Sequence, residues 1–349
     1  MIKLVRRRAA VPLVLVPVLL GMLVSPAGAA VPAHQYAGPI FGLAAKGEVL
    51  FAADAGAGVV RLDANSDRLA VELPAASDVA PTAKGKMWVV TSGAKNKKLW
   101  KVVDGDPREI ANLGKFEKTV NPDQGAIDSN PFDLAALGGG QVLVADAAAN
   151  ALLIADKHGN LDWVATLPNE DVSSANAKQL AGCPTPPPDL AEVCDLPDTM
   201  PAEPVTTTVA VGPDGAYYVG ELKGFPAPTG VSKIWRIDPS ARHADCSTSP
   251  SCTVVADGFT SIVDLNFASD GTAYVVEMDE ASWYAVELGG AVGGTIDACD
   301  TSATPWVCSE AASALTVPFA VAVTASDRVF AAVNVLDPSA AEVVEITPA

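Results

Sequence analysis

The chain has 349 residues, of which 49% are hydrophobic, 18% charged and 6% aromatic. That length and apolar content can bury a sizeable core, which excludes a disordered chain, and repeat architectures hold such a length in one domain. A formal charge of −18 disfavours nucleic acid and anionic membranes as partners. Its plainer meaning is solubility, and its sharper one is an affinity for cations.

Residues 1–30 read as a signal peptide. Lys3, Arg6, Arg7 and Arg8 form a basic start, Ala9–Val24 an apolar run, and Ala27-Gly28-Ala29 an A-x-A cleavage site. The apolar run falls short of a ~20-residue membrane span, so no stable anchor is expected. Cleavage removes four basic residues and no acidic one, taking the formal charge from −18 to −22. The expectation is a secreted bacterial protein, with residues 31–349 forming a single domain.

The mature chain reads as repeats of short strands. Units fall at about 40–73, 78–113, 130–167, 206–256, 261–315 and 318–346. The third is the plainest, NPFDLAALGGGQVLVADAAANALLIADKHGNLDWVATL. Phe132–Ala136, Gln141–Ala145, Asn150–Ala155 and Leu161–Leu167 are its strands, with Gly, Asn and Asp in the turns. Four strands at a period near 40 residues are the mark of a β-propeller, here an all-β, six-bladed one. The sixth unit stops after three strands, and Ala33–Gly38 before the first is unassigned. The expectation is that this N-terminal segment supplies the outer strand of the last blade and closes the ring. No long helix is expected, because no stretch keeps a helical period.

Six cysteines in an exported chain point to disulfides. Spacing favours three local pairs, Cys183 with Cys194, Cys246 with Cys252, and Cys299 with Cys308. The first lies in an insertion between units, and the other two should lie on the opposite face. CxxC spacing is absent, which argues against a zinc site.

Here the residues resemble a known family. The runs NPFDLAAL, VAVGPDGAYYVGELKGFPAPTG and GFTSIVDLNFASDGTAYVVEM are similar to the ScyD/ScyE family of exported bacterial proteins, along essentially the whole mature chain. The resemblance implies a six-bladed propeller of the NHL-like type and export. The family's founding members belong to clusters for scytonemin pigment synthesis, and many relatives have no known role.

Chemistry is less legible than fold. His34, His158 and His243 fall on no inner strand, and GxSxG, HExxH, phosphate-loop and EF-hand patterns are absent. No catalytic residue can be named. The six tryptophans occupy different repeat positions and read as packing or rim residues.

One repeat position stands out, the end of each second strand, which holds Asp54, Ser92, Asp146, Glu221, Glu277 and Asn334. At the start of the first strands, Asp133, Thr207 and Asp264 should stand near the central channel. Together Asp54, Asp133, Asp146, Glu221, Asp264, Glu277 and Asn334 make the expected channel mouth. Asp146, Glu221, Glu277 and Asn334 are the candidate metal ligands, with Ca²⁺ the expected ion because it accepts irregular oxygen shells. The plainer reading is that Asp and Asn suit tight turns by bonding their own backbone.

Insertions Gly114–Ser129, Pro168–Pro204 and Lys223–Gly230 elaborate the same face, and loops on a rigid scaffold commonly carry function. The leading expectation is a secreted, non-catalytic propeller that binds a ligand or an extracellular protein there, as a monomer. The alternative is a metal-dependent hydrolase resembling propeller lactonases, with those acids holding its cation.

Overall fold

The computed structural model describes residues 35–63 and 67–347. The expected signal peptide and His34 lie outside the described residues. Six antiparallel sheets follow one another along the chain, arranged as the blades of a β-propeller.

Blade 1 comprises β1 (Ile40–Lys46), β2 (Val49–Asp54), β3 (Gly58–Leu62) and β4 (Arg68–Glu72). Blade 2 comprises β5 (Ala76–Ala83), β6 (Lys86–Gly93), β7 (Asn96–Val103) and β8 (Asp106–Asn112). Helix α1 (Leu113–Val120) then leads to blade 3, made of β9 (Pro131–Ala136), β10 (Gln141–Asp146), β11 (Ala151–Asp156) and β12 (Leu161–Thr166). The four strands expected in this third unit sit within one residue of those observed.

The long connection to blade 4 folds as hairpin β13 (Glu170–Ser173) and β14 (Thr199–Ala202), enclosing α2 (Ala175–Leu180) and α3 (Ala191–Cys194). Blade 4 is β15 (Thr206–Val211), β16 (Tyr217–Glu221), β17 (Ser232–Ile237) and β19 (Cys252–Phe259), with a short β18 (Ala244–Asp245) before the last. Blade 5 is β20 (Ile262–Phe267), β21 (Ala273–Glu277), β22 (Gly294–Asp300) and β23 (Val307–Leu315), with α4 (Trp283–Glu287) between its second and third strands. Blade 6 has β24 (Ala320–Val323), β25 (Val329–Val333) and β26 (Glu342–Ile346).

Each inner strand touches the inner strand of the next blade, and β24 packs on both β20 and β1, which closes the circle. The cores lie between blades. One cluster joins blades 5, 6 and 1 through Ile40, Leu43, Val276, Ile296, Phe330 and Val343. Another joins blades 3 and 4 through Leu143, Leu152, Val219 and Ile237.

The expected N-terminal outer strand is not observed. Blade 6 holds three strands among the described residues, and Gln35–Gly38 forms none. Residues 33 and 34 lie outside the described residues. Instead Ala37 donates its N–H to Asp54 Oδ2 at 2.7 Å, and Tyr36 is buried in the cluster shared by blades 6 and 1. A Cβ on Gly38 would lie 2.4 Å from the nitrogen of Gly56, so the segment presses on the turn after β2. The backbone N–H held by a buried acid and the buried ring of Tyr36 fix the segment here instead of along the outer edge of blade 6.

All three disulfides join the expected cysteines. The latter two close the turns between third and fourth strands, and each reaches an adjacent blade. In the Cys246 loop, β18 pairs in parallel with β12 of blade 3, and His243 stacks on Trp163. From the Cys299 loop, Trp306 donates its N–H to Val255 O at 2.8 Å and packs on Tyr218.

Candidate functional site

The inner strands of blades 1 to 5 share a bulge near their start, and the residue after it is equivalent from blade to blade: Gly42, Asp78, Asp133, Thr208 and Asp264. An innermost strand has a free edge, and its buried N–H groups need acceptors. These acids supply them to the following blade. Leu134 donates to Asp78 Oδ2 at 3.1 Å, Val209 to Asp133 Oδ2 at 2.6 Å and Val321 to Asp264 Oδ2 at 2.7 Å. Thr208, the neutral member, donates its hydroxyl to Asp264 Oδ1 at 3.3 Å.

The belt is also electrostatically loaded. Asp78 and Asp133 share a side-chain hydrogen bond, which two carboxylates can make only by holding a proton between them. Burial, reinforced by the negative charge of Asp133, holds both Asp78 and Asp264 well above the usual carboxylate range. Burial raises Asp133 as well. A Cβ on Gly42 would stand 2.1 Å from Asp78 Oδ1, so a residue without a side chain there is what admits the pair.

The belt lies at the inner end of a cavity of about 300 Å³, bounded by Ala44, Ala80, Ala135, Ala210 and Asn266. A wider space of about 510 Å³ shares its walls at Ala45, Val211, Phe267 and Val323 and opens between Gly47, Pro213 and Asp327. These last residues belong to turns between first and second strands. At the other end, Phe41, Phe132 and Phe319 pack on one another with ring centroids 5.2–6.3 Å apart. The cavity is therefore entered from the face opposite to the expected mouth.

Of the seven expected mouth residues, Asp133 and Asp264 line this cavity and the other five do not. The second-strand acids each serve their own blade. Asp54 accepts from Ala37, Gly56 and Ala57, and Asp146 from Ser129 Oγ at 2.7 Å and from the Asn130 and Ala149 N–H groups. Burial pushes Asp146 up to about 6. Glu277 accepts from the Thr260 N–H, and burial, with Asp297 beside it, pushes it up to about 9.

Glu221 faces the fully buried Lys223, whose Nζ is 2.9 Å from one carboxylate oxygen and 2.6 Å from Glu170. Burial still pushes Glu221 up to about 7. Asn334 sits in a left-handed backbone conformation, φ 55°, and donates its N–H to Thr316 O. Asp146, Glu221, Glu277 and Asn334 thus stand in four different blades, and no three His, Cys, Asp or Glu side chains are gathered as metal ligands among the described residues. Their recurrence reflects a turn that needs an acceptor. Asp78, which is not among the expected mouth residues, completes the belt, and its D-V-A context matches D-L-A at Asp133.

The elaborated face is more ordered than a set of loops. Ala177 of α2, Ala227 and Tyr284 of α4 share a small core with Phe225, Trp283 and Leu196. Asn176 donates to Ala227 O at 2.6 Å and to Ala281 O at 3.2 Å, and Trp283 Nε1 donates to Lys223 O at 2.8 Å. Insertions from three separate connections therefore make one crown over blades 3 to 5. Asp171, Asp189, Glu192, Asp195, Asp198 and Glu203 are exposed on its β13–β14 section.

No family model matches the sequence, and no characterised protein matches it as a sequence relative. Solved structures of similar shape exist. A protein of unknown function from Bacteroides thetaiotaomicron aligns with 92% of this chain and 72% of its own, at 10% identity and a TM-score of 0.57. The gluconolactonase XC5397 of Xanthomonas campestris aligns over 89% and 87% at 12% identity, TM-score 0.54. Virginiamycin B lyase of Staphylococcus aureus aligns over 92% and 88% at 13% identity, TM-score 0.51. At these identities the likeness is one of fold alone, and the fold is that of a β-propeller.

Proposed function

We propose that this chain is an exported, non-catalytic propeller that binds a cationic ligand or partner protein on its crown. The observation that carries the reading is the crown itself, three insertions held by a common core and presenting carboxylates outward. A rigid acidic surface steers and selects cationic partners at little cost in ordering. The lactonase-like alternative has no such support, because the acids it would use are consumed as caps and ion pairs inside separate blades. Export rests on the N-terminal pattern, and three disulfides agree with an oxidising compartment. Kinship with the ScyD/ScyE family rests on the runs quoted above.

The test compares mature protein with a variant carrying Asp171→Asn, Asp189→Asn, Glu192→Gln and Asp195→Asn, for binding to washed envelopes of the producing cells. Saturable binding that weakens in the variant and with salt supports the proposal. Equal binding by both proteins would overturn the role of the crown. A lactone panel with added divalent cations runs beside it, and turnover lost in Asp133→Asn would overturn the non-catalytic reading.

A further inference from the structure

The connection from blade 2 to blade 3 contains buried acceptors that lack well-formed hydrogen bonds. Glu117, on α1, is 2% exposed, and neither of its carboxylate oxygens makes a hydrogen bond of good geometry, the Asp128 backbone N–H being turned toward the carboxylate without closing one. Asn121 caps the same helix in a left-handed conformation, φ 47°, and its Oδ1 is buried and likewise unpartnered. The amide orientation follows from its other bond, because Nδ2 donates to Gly125 O at 3.2 Å, which an oxygen could not do. Buried acceptors this poorly paired are costly, so the pocket calls for something electropositive.

Its surroundings point the same way. The charges of Asp123, Asp146 and Asp128 all bear on Glu117, and those of Asp123 and Asp128 also bear on Glu203. Lys97, the nearby base, is engaged with Asp128 at 2.8 Å. The loop is held in shape from within, with Asp123 accepting from Gly125 N at 2.8 Å and from Asn150 Nδ2 at 2.9 Å.

We propose that this pocket is a calcium site, with Glu117 and Asn121 supplying ligand oxygens inside the field of Asp123, Asp128 and Asp146. Mixed carboxylate and amide oxygens on an irregular loop suit Ca²⁺, whereas Mg²⁺ demands a near-ideal octahedron. The site stands apart from the channel and from the four repeat positions expected as ligands, sharing only the influence of Asp146. It does not depend on the crown having a partner.

The experiment uses mature protein stripped with chelator, then equilibrium dialysis against Ca²⁺ alone and thermal unfolding with and without it. One ion per chain and a calcium-dependent rise in Tm are expected. Glu117→Gln should weaken binding by about tenfold or more, in the direction set by ligand charge. Asn121→Gly, which suits the left-handed backbone, should weaken it as well, and it serves if the first variant fails to fold. Asp133→Asn in the channel should leave binding unchanged. Absence of stoichiometric Ca²⁺ at millimolar concentration, wild-type affinity in both loop variants, or loss of binding in Asp133→Asn would each overturn the proposal.

Discussion

Replacing Glu117 with Gln tests the buried, poorly paired carboxylate in the absence of calcium. Burial, with the charges of Asp123 and Asp146, raises this group from 4.5 to about 7. A folded-state pKa above the unfolded one means that the native state binds the proton more tightly. The resulting stability is fully present below about pH 4.5 and is lost as pH rises through about 7. Complete conversion of the shift gives a ceiling of about 3 kcal/mol, and any water entering the pocket lowers it. In chelator, Glu117→Gln should therefore match wild type near about pH 4.5 and exceed it by up to about 3 kcal/mol near about pH 8. Urea unfolding at both pH values measures the difference. Asp146 and Glu221 titrate in the same window, so the comparison between the two proteins isolates Glu117. A variant no more stable than wild type at the higher pH, or a difference independent of pH, would refute the reasoning.

Three further outcomes follow from the geometry. Lys223→Met leaves Glu221 and Glu170 without their shared cation and should cost about 3–5 kcal/mol in urea unfolding; a loss below about 1 kcal/mol would contradict the ion-pair account. Asp133→Asn keeps an oxygen for the Val209 N–H and removes the repulsion on Asp78, so it should raise Tm near neutral pH and not in acid. Equal effects at both pH values would mean that the belt is not charged as described. Removing the Cys246–Cys252 bond with paired alanines should cost about 2 kcal/mol and speed amide exchange at position 246, whose backbone N–H bonds Thr166 O in the neighbouring blade.

Blade number and most strand limits were legible because a blade is a local pattern. Alternation and Gly–Asn–Asp turns fix β9 to β12 within one residue, and the tightest disulfides follow from chain proximity. Legibility ended where a segment's fate depends on distant partners. Gln35–Gly38 is settled by Asp54 and by a buried Tyr36, neither of which a search for a missing strand would reveal. Helix α1 is not legible in the sequence because eight residues give little more than two turns of period. Strand β18 is two residues long and pairs with a strand nearly eighty positions earlier, so nothing local announces it.

The misplaced metal site has a geometric cause. In a six-bladed ring, equivalent positions on neighbouring blades stand about as far apart as their distance from the axis. Innermost strands therefore bring their side chains together, and each step outward adds a strand spacing of about 4.8 Å. Recurrence along the sequence is the same in both cases, so it cannot tell convergence from repetition. Asp78, Asp133 and Asp264 meet because they follow the bulges of inner strands, while Asp54, Asp146, Glu221 and Glu277 end second strands and turn to their own blades. What distinguishes them is the neighbour to the left in the sheet, which for an inner strand is the channel and for a second strand is another backbone. Glu117 shows the converse. It belongs to no repeat, and only the enclosure of its two oxygens sets it apart from the chain's many solvated acids.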